Sequence, residues 1–112
     1  MPYIKVQTSK QITAPEEFLQ KISALTATEL EKPESYVMTA LEDDMVMTLG
    51  GTPEPAAFVE LMSIGLTEEE TGNLSEVLCA ALNQELGLDG DRIYINFHSV
   101  SGSMWGWKGS TF

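Results

Sequence analysis

The chain has 112 residues, of which 43% are hydrophobic, and a formal net charge of −11 at pH 7 from 17 acidic and 6 basic side chains. This length and composition predict one globular domain over residues 1–112, large enough to bury about two-thirds of the surface of its unfolded chain. The excess of acids excludes a basic nucleic-acid interface and disfavours binding to an anionic membrane surface.

The first half of the chain is predicted to fold as strand, helix, strand. Side chains alternate over residues 3–8, which indicates a strand with two different faces. Apolar residues then recur at helical spacing from Pro15 onwards, and the lysine-proline pair at 32–33 ends the helix because proline cannot continue it. Residues 36–42 predict a second strand, and a short extended piece is expected at 45–49.

The second half repeats this order after a turn-rich connection. Glycine and proline are concentrated at 50–55, which indicates a loop at the middle of the chain. Residues 57–63 predict a strand, and Thr67 is a suitable N-cap for a helix that carries an apolar stripe up to Gly87. Residues 92–98 alternate again and predict the last long strand.

Two β-α-β units side by side predict an α+β fold, an α/β sandwich in which a four-stranded mixed sheet carries both helices on one face. The other face would carry the second set of alternating side chains, which includes Lys5, Gln7, Tyr94, Asn96 and His98. That face is partly apolar, and the helices cannot reach it. Because such an exposed face is unfavourable for a monomer, we expect self-association.

The C-terminal tail is rich in glycine and serine, yet it holds the large aromatic residues Trp105, Trp107 and Phe112. Disordered segments are typically poor in aromatic residues. We therefore expect the tail to be ordered and its aromatic side chains to cover a surface of the domain.

The first two residues, Met1 and Pro2, carry the main chemical hypothesis. Proline is small enough for the initiator methionine to be removed before it, which would leave a secondary amine as the chain terminus. A terminal amine titrates at about 7.7–8.0, so a modest lowering of its pKa makes it a general base near neutral pH. On the dipeptide alone, a harmless terminal residue is the simpler interpretation.

Few residues are suited to redox or metal chemistry. The chain has one cysteine, Cys79, and one histidine, His98, so we expect neither an intrachain disulfide nor a metal site. The N-terminus lacks a basic segment followed by an apolar run, and no apolar run approaches the length of a membrane span. These features favour a cytoplasmic protein.

Six sequence segments occur in an order that resembles one protein family. They are Met1-Pro2, KPESYVM from Lys32, GGTPEP at 50–55, SIG at 63–65, DRIYINF at 91–97 and GWKGSTF at the C-terminus. Together they span essentially the whole chain and are similar to the macrophage migration inhibitory factor (MIF) family of the tautomerase superfamily, with a microbial-type homologue as the expected kind.

The resemblance implies a homotrimer with sheets around a central channel and active sites at the subunit interfaces. Pro2 would be the general base after removal of Met1. The substrate-binding residues would be Lys32 and Ile64 from one subunit and Tyr94 and Asn96 from its neighbour. Aromatic residues fall where the family lines its pocket: Tyr36, Trp105, Trp107 and Phe112.

The activity that the resemblance implies is keto–enol tautomerisation of phenylpyruvate-like or dopachrome-like compounds, with no metal and no cofactor. Burial and a nearby Lys32 ammonium would both lower the pKa of the Pro2 amine, which would then take a proton next to a carbonyl. Lys32 would hold a carboxylate while the aromatic side chains enclose a ring. Trp105 departs from the smaller aliphatic residue of some relatives, so pocket size and substrate preference are expected to differ.

Other interpretations remain open at this point. A MIF-like cytokine or receptor-binding protein with a vestigial tautomerase pocket, or a purely structural trimer, has no need of catalysis. The family includes secreted cytokines without a signal peptide, so non-classical secretion is compatible with this sequence. Taken singly, Lys32 is typical of a helix C-terminus, and Tyr94 and Asn96 are ordinary sheet residues. The intact set favours the enzyme, because a pure binder does not need a free terminal amine.

Overall fold

The computed structural model describes all residues, 1–112, and contains one four-stranded sheet, two long helices and a small hairpin. The elements are, in chain order, β1 (Tyr3–Thr8), α1 (Pro15–Leu30), β2 (Met38–Glu42), β3 (Ala57–Ile64), α2 (Glu68–Leu86), β4 (Ile93–Val100), β5 (Gly106–Trp107) and β6 (Ser110–Thr111). The sheet order is β2-β1-β3-β4, with β1 parallel to β2, β3 parallel to β4, and β1 antiparallel to β3 at the centre. Two β-α-β units therefore lie side by side, which confirms the predicted mixed sheet of an α+β fold.

The hydrophobic core lies between the two helices and one face of the sheet. Alternate residues of the central strands, such as Val6 and Val59, are buried in one cluster with Ile22 of α1 and Leu78 of α2. Both helices therefore cover the same face, as the alternation of apolar residues predicted. The opposite face has no helix over it, and its side chains include Tyr94, which is 62% exposed.

The first helix, α1, ends in a way that fixes the residue after it. Glu31 adopts a left-handed conformation with φ of 53°, and its backbone N–H bonds to the Thr28 carbonyl. The next backbone N–H, that of Lys32, bonds to the Ala27 carbonyl at 3.0 Å. These two bonds form a Schellman motif, which satisfies carbonyl groups at the helix end. The motif also fixes the direction in which the Lys32 side chain leaves the backbone.

The second helix, α2, has the caps that its sequence predicts. The Thr67 hydroxyl accepts a bond from the Glu70 backbone N–H at 3.2 Å, and the Glu70 carboxylate accepts one from the Thr67 backbone N–H at 3.0 Å. This capping box confirms Thr67 as the N-cap. Gly87 ends the helix in the left-handed region with φ of 69°, where glycine has no steric cost.

Four predicted extended segments differ from the structure; the smallest difference is at 57–63, where β3 runs on to Ile64. The strand predicted at 36–42 begins only at Met38, because Glu34–Tyr36 form a 3₁₀ turn in which the Tyr36 N–H bonds to the carbonyl of the preceding proline. The strand predicted at 92–98 runs from 93 to 100, since Arg92 belongs to another 3₁₀ turn. The piece at 45–49 joins no sheet; only an isolated bridge from Leu49 to the loop after it is formed.

The C-terminal tail is ordered, as its aromatic residues predicted. Strands β5 and β6 form a hairpin whose two turn residues, Lys108 and Gly109, have φ of 54° and 77°. Positive φ at both central residues is typical of the tight turn that joins two twisted antiparallel strands. The hairpin carries Trp107 back towards the start of β1 and β2, where it lines a cavity.

Candidate functional site

Two cavities meet at the start of β1. The larger has a volume of about 550 Å³, is predominantly apolar, and is lined by Met1, Pro2 and residues of β2 and the C-terminal hairpin. The smaller has a volume of about 360 Å³ and is lined in part by Lys32 and Ile64. The cavities share three lining residues: Met1, Tyr36 and Phe112. The structure therefore brings the N-terminus and the predicted lysine to one place.

The position of Pro2 is fixed by its neighbours in the sheet. Its side chain is less than 2% exposed, and its carbonyl accepts a hydrogen bond of 3.0 Å from the backbone N–H of Met38 in β2. The next residue, Tyr3, pairs with Met38 on one side and with Met62 of β3 on the other. The proline ring therefore stands at the end of a central strand rather than on a loose terminus.

Lys32 is held at the wall of the smaller cavity by neutral acceptors. Its Nζ donates to the Ser63 hydroxyl at 3.0 Å and to the Ile64 carbonyl at 2.9 Å. The ion pairs of the chain lie elsewhere and involve Lys5 with Glu42 and Lys21 with Glu85. Although the protein carries 17 acidic residues, no carboxylate neutralises the Lys32 ammonium. Its positive charge is therefore available to a ligand in the cavity.

This environment lowers the pKa of the N-terminal amine. In the structure it belongs to Met1, and its pKa is lowered from the ordinary value, first by burial and second by the charge of Lys32. Both causes act against the protonated form: burial removes water from the cation, and a like charge repels it. The same two effects were predicted for the Pro2 amine from the family resemblance, and for Pro2 they stay a prediction. Pro2 is the next residue, and consecutive Cα atoms are about 3.8 Å apart.

Three aromatic side chains pack together at the cavities: Tyr36 and Phe112 line both, and Trp107 lines the larger one. The Trp107 and Phe112 rings stack with centroids 5.6 Å apart and an interplanar angle of 13°. Tyr36 packs edge-on against both, with centroids 5.4 Å from Trp107 and 6.1 Å from Phe112. Such arrangements are favourable for aromatic pairs and hold the rings in defined orientations. The predicted lining residues Tyr36, Trp107 and Phe112 thus meet beside the N-terminus.

Trp105 lines the larger cavity and is tied to the last residue of the chain. Its carbonyl accepts a hydrogen bond from the Phe112 N–H at 3.2 Å, and its own N–H donates to the Gly102 carbonyl at 3.1 Å. A Cβ at Gly102 would lie 2.8 Å from the Phe112 carbonyl oxygen, so only glycine allows this close approach. The 3₁₀ turn of Gly102–Met104 therefore seats both Trp105 and Phe112 at the cavity.

Tyr94 and Asn96 lie away from these cavities in the same chain. Met62 pairs with both Tyr3 and His98, so Pro2 is level with position 99 of β4. Tyr94 is five residues from that level and Asn96 is three, which correspond to about 16 and 10 Å along a strand. The register therefore separates this chain's Tyr94 and Asn96 from its own Pro2. That a second copy supplies them stays a prediction.

The remaining reactive side chains do not join this site. Cys79 is half-buried against the core, and burial raises the pKa of its thiol. His98 lies on the helix-free face of the sheet. No three histidine, cysteine or carboxylate side chains are close enough together to hold a metal ion. Neither helix has the length and apolar character needed to cross a membrane.

Sequence reasoning missed Ser63, which contacts Lys32 directly. A weak signal was present in the alternation of β3, whose inward positions are otherwise apolar: Val59 and Leu61 are fully buried, and so is Ser63. A hydroxyl at a core position needs a hydrogen-bond partner. The sequence could not name that partner, because it lies 31 residues earlier in the chain.

Comparison with known proteins agrees with this architecture. The sequence model of the macrophage migration inhibitory factor family matches residues 1–112. The MIF homologue of Trichinella spiralis is 40% identical over 100% of both chains, and rat MIF is 35% identical over 100% of this chain and 99% of its own. The crystal structure of the MIF homologue from Prochlorococcus marinus superposes with a TM-score of 0.93 at 43% identity, covering 98% of each chain. The chain therefore belongs to the macrophage migration inhibitory factor family of the tautomerase superfamily.

Proposed function

We propose that this protein is a keto–enol tautomerase of the phenylpyruvate or dopachrome type, with Pro2 as the general base once Met1 is removed. One observation carries the proposal: the terminal amine lies in an apolar cavity beside a lysine whose charge no carboxylate neutralises, and its pKa is lowered as a result. A base is most effective when its pKa lies near the working pH. Removal of Met1 makes the Pro2 nitrogen that terminal amine.

The cavity chemistry supports a planar substrate with one negative charge. The Lys32 ammonium attracts a carboxylate, and Tyr36, Trp107 and Phe112 offer ring faces and edges to an aromatic or conjugated group. The smaller cavity, which Lys32 lines, has mainly apolar walls, and these strengthen the attraction between the ammonium and a carboxylate. A 2-keto acid with an aromatic group, such as phenylpyruvate, combines these features.

The reaction uses one proton and no external reagent. The free amine of Pro2 takes a proton from the carbon next to the carbonyl. The electron pair of the broken C–H bond forms the C=C bond, and the carbonyl π electrons move to oxygen. The prolinium then returns the proton to that oxygen and gives the enol and the free amine. The reverse sequence converts enol to ketone. The proline ring and the hydrogen bond from the Met38 N–H to the Pro2 carbonyl hold the amine in place, which limits unproductive orientations.

The proposal includes a homotrimer in which Tyr94 and Asn96 of a neighbouring subunit complete each site. In one chain these residues are separated from Pro2 by the strand register, and Tyr94 is 62% exposed. The helix-free face of the sheet and Met38, which is 65% exposed at the larger cavity, offer surface for a second copy. A phenol and an amide from that copy would supply hydrogen bonds to the carbonyl oxygen where negative charge develops.

The test combines intact mass with a rate measurement. The mass of the purified protein is expected to lack one methionine. Phenylpyruvate tautomerisation, followed by absorbance, is then compared between the wild type and Pro2→Gly, which keeps a small residue at that position but leaves a primary amine. We expect the rate to fall by about a hundredfold or more, the usual contribution of a positioned acid–base group.

A second variant tests the contribution of the amine independently of the proline ring. Inserting one alanine between Met1 and Pro2 converts the proline nitrogen into an amide while the ring is kept, and we expect it to abolish the Pro2-dependent rate. Equal rates in the wild type, Pro2→Gly and the insertion variant would remove Pro2 from the mechanism. A wild type that lacks Met1 but shows no tautomerase activity would leave the receptor-binding protein with a vestigial pocket as the remaining alternative.

A further inference from the structure

Ser63 differs from the other buried hydroxyl groups of the protein. Thr8, Thr26 and Ser63 are all 0% exposed. Thr8 donates to the Ala56 carbonyl at 2.8 Å, and Thr26 donates to the Ile22 carbonyl at 2.7 Å, so each is satisfied by backbone. The hydrogen-bond partner of Ser63 is a charged side chain, the Lys32 ammonium. Ser63 is therefore the buried hydroxyl that bonds to a charged side chain, whereas the other two bond to backbone carbonyls.

We propose that Ser63 is a positioning residue of the active site, because its hydroxyl and the Ile64 carbonyl hold the Lys32 ammonium at the cavity wall next to the N-terminus. This inference rests on the proposed tautomerase function and deepens it. Ser63 does not contact the substrate and acts through Lys32. It contributes by fixing the position and direction of the Lys32 positive charge.

The geometry leaves one donor of Lys32 for a ligand. An ammonium has three N–H donors, and two are directed at Ser63 and Ile64 at 3.0 and 2.9 Å. Since the lysine is also fixed at its backbone by the bond to Ala27, the side chain is restrained at both ends. The third donor is free for the carboxylate of a keto acid in the cavity.

Restraint of this kind matters because lysine is flexible. Ordering a lysine side chain costs conformational entropy, and a side chain already ordered in the free enzyme avoids that cost when substrate binds. A lysine held at the cavity wall also acts on the terminal amine from a fixed distance, and its charge is one of the two causes that lower the pKa of that amine. Ser63 therefore affects both anion binding and the base.

The test is Ser63→Ala compared with Thr26→Val, in protein that lacks Met1. Both changes remove a fully buried hydroxyl, but only the first contacts Lys32. For Ser63→Ala we expect KM for phenylpyruvate to rise about fivefold with a smaller change in kcat, because the variant loses one hydrogen bond that orients the Lys32 charge. We expect the pKa of the Pro2 amine, followed by NMR of isotope-labelled proline, to move up towards its ordinary value. Thr26→Val is expected to change neither quantity.

Two further variants make the outcome decisive. Ser63→Cys keeps a weak acceptor of nearly the same size, and it is expected to give values between those of wild type and Ser63→Ala. In a Lys32→Met background, Ser63→Ala is expected to have no additional effect, because the residue through which it acts is gone. If Ser63→Ala folds with an unchanged KM and an unchanged amine pKa, or if the effects of Ser63→Ala and Lys32→Met add fully in the double variant, Ser63 has no positioning role. The amine titration gives a result even if the wild type proves inactive, so failure of this inference is distinct from failure of the tautomerase function.

Discussion

The two halves of the fold each place one cation after the helix, and the two cations are used differently. Lys32 follows α1 and Arg92 follows α2. All five N–H donors of Arg92 are directed at acceptors of the loop between the halves: the carbonyls of Leu49, Thr52, Glu54 and Pro55 and the Thr52 hydroxyl, at 2.7 to 3.3 Å. Lys32 uses two of its three donors.

This difference separates a structural cation from one that is available for chemistry. Arg92 is saturated by backbone and hydroxyl oxygens and ties the loop at 49–55 to the start of β4. Lys32 keeps one free donor and faces a cavity that contains the N-terminus. A repeated β-α-β unit thus provides two similar positions, and the local acceptors decide which of them becomes a site. Variants of the two cations are therefore expected to give opposite phenotypes.

The largest expected effect is on the pH dependence of activity. The amine must be unprotonated to accept a proton, so kcat/KM is expected to fall about tenfold for each pH unit below the pKa of the Pro2 amine. Burial and the Lys32 charge lower the pKa of an amine at this place, which moves the loss of activity to more acidic pH than for an ordinary terminal amine. A pH profile of phenylpyruvate tautomerisation measures this. A rate that stays constant down to pH 4 would contradict an amine base.

The second effect is the loss of the free cation. Lys32→Met keeps a side chain of similar length without charge, and we expect kcat/KM to fall about a hundredfold, the value of a hydrogen bond to a charged group. The acid limb of the pH profile is expected to move to higher pH, because the like charge no longer opposes protonation. Arg92→Met is the matched control and is expected to leave the acid limb in place. A shift of the limb in both variants would mean that the two cations are not distinct.

The third expected effect concerns stability, and here the Arg92 variant is expected to be affected more than the Lys32 variant. Arg92→Met leaves loop carbonyls without their donors, and we expect the free energy of unfolding to fall by about 2 kcal/mol, measured by denaturant titration. Arg92→Lys is expected to recover less than half of this loss, because an ammonium cannot reproduce the planar fork of the guanidinium. Lys32→Met is expected to cost less stability than Arg92→Met. The reverse order would show that Lys32 is the structural cation.

Sequence and structure agree most closely where the signal is local. The stripe of α2, its N-cap Thr67 and its terminal Gly87 depend on neighbouring residues, and their positions were predictable. The start of β2 was not, because the 3₁₀ turn at 34–36 is closed by single backbone bonds such as that from the Tyr36 N–H to the Pro33 carbonyl, and a turn this short leaves no periodic pattern in the sequence. Local patterns also cannot show that Arg92 would bond to a loop at least 37 residues earlier in the chain.

The site itself was predictable to different degrees. That Pro2, Lys32 and the aromatic residues belong together came from the family resemblance, since spacing along the chain does not bring position 2 next to position 32. Ser63 was not found because its partner is distant in sequence. We expect a second copy to place Tyr94 and Asn96 in a complete site, and no pattern within one chain can position such a copy.

The smallest expected effects come from the ends of the two helices. Gly87 has φ of 69° and Glu31 has φ of 53°, so both occupy the left-handed region, but only Gly87 does so without a side-chain cost. Gly87→Ala is therefore expected to lower the free energy of unfolding by about 1 kcal/mol.

The converse change, Glu31→Gly, is expected to raise the free energy of unfolding by about 0.5 kcal/mol, because relief of the left-handed strain slightly exceeds the added flexibility of the unfolded chain. The backbone bonds of Glu31 and Lys32 to α1 do not need the Glu31 side chain, so the lysine should keep its position and the variant its activity. Thermal unfolding together with kcat/KM measures both quantities. A stabilised variant with reduced activity would show that the left-handed glutamate itself helps to direct Lys32 into the cavity, and the difference between the two helix ends would then be functional as well as structural.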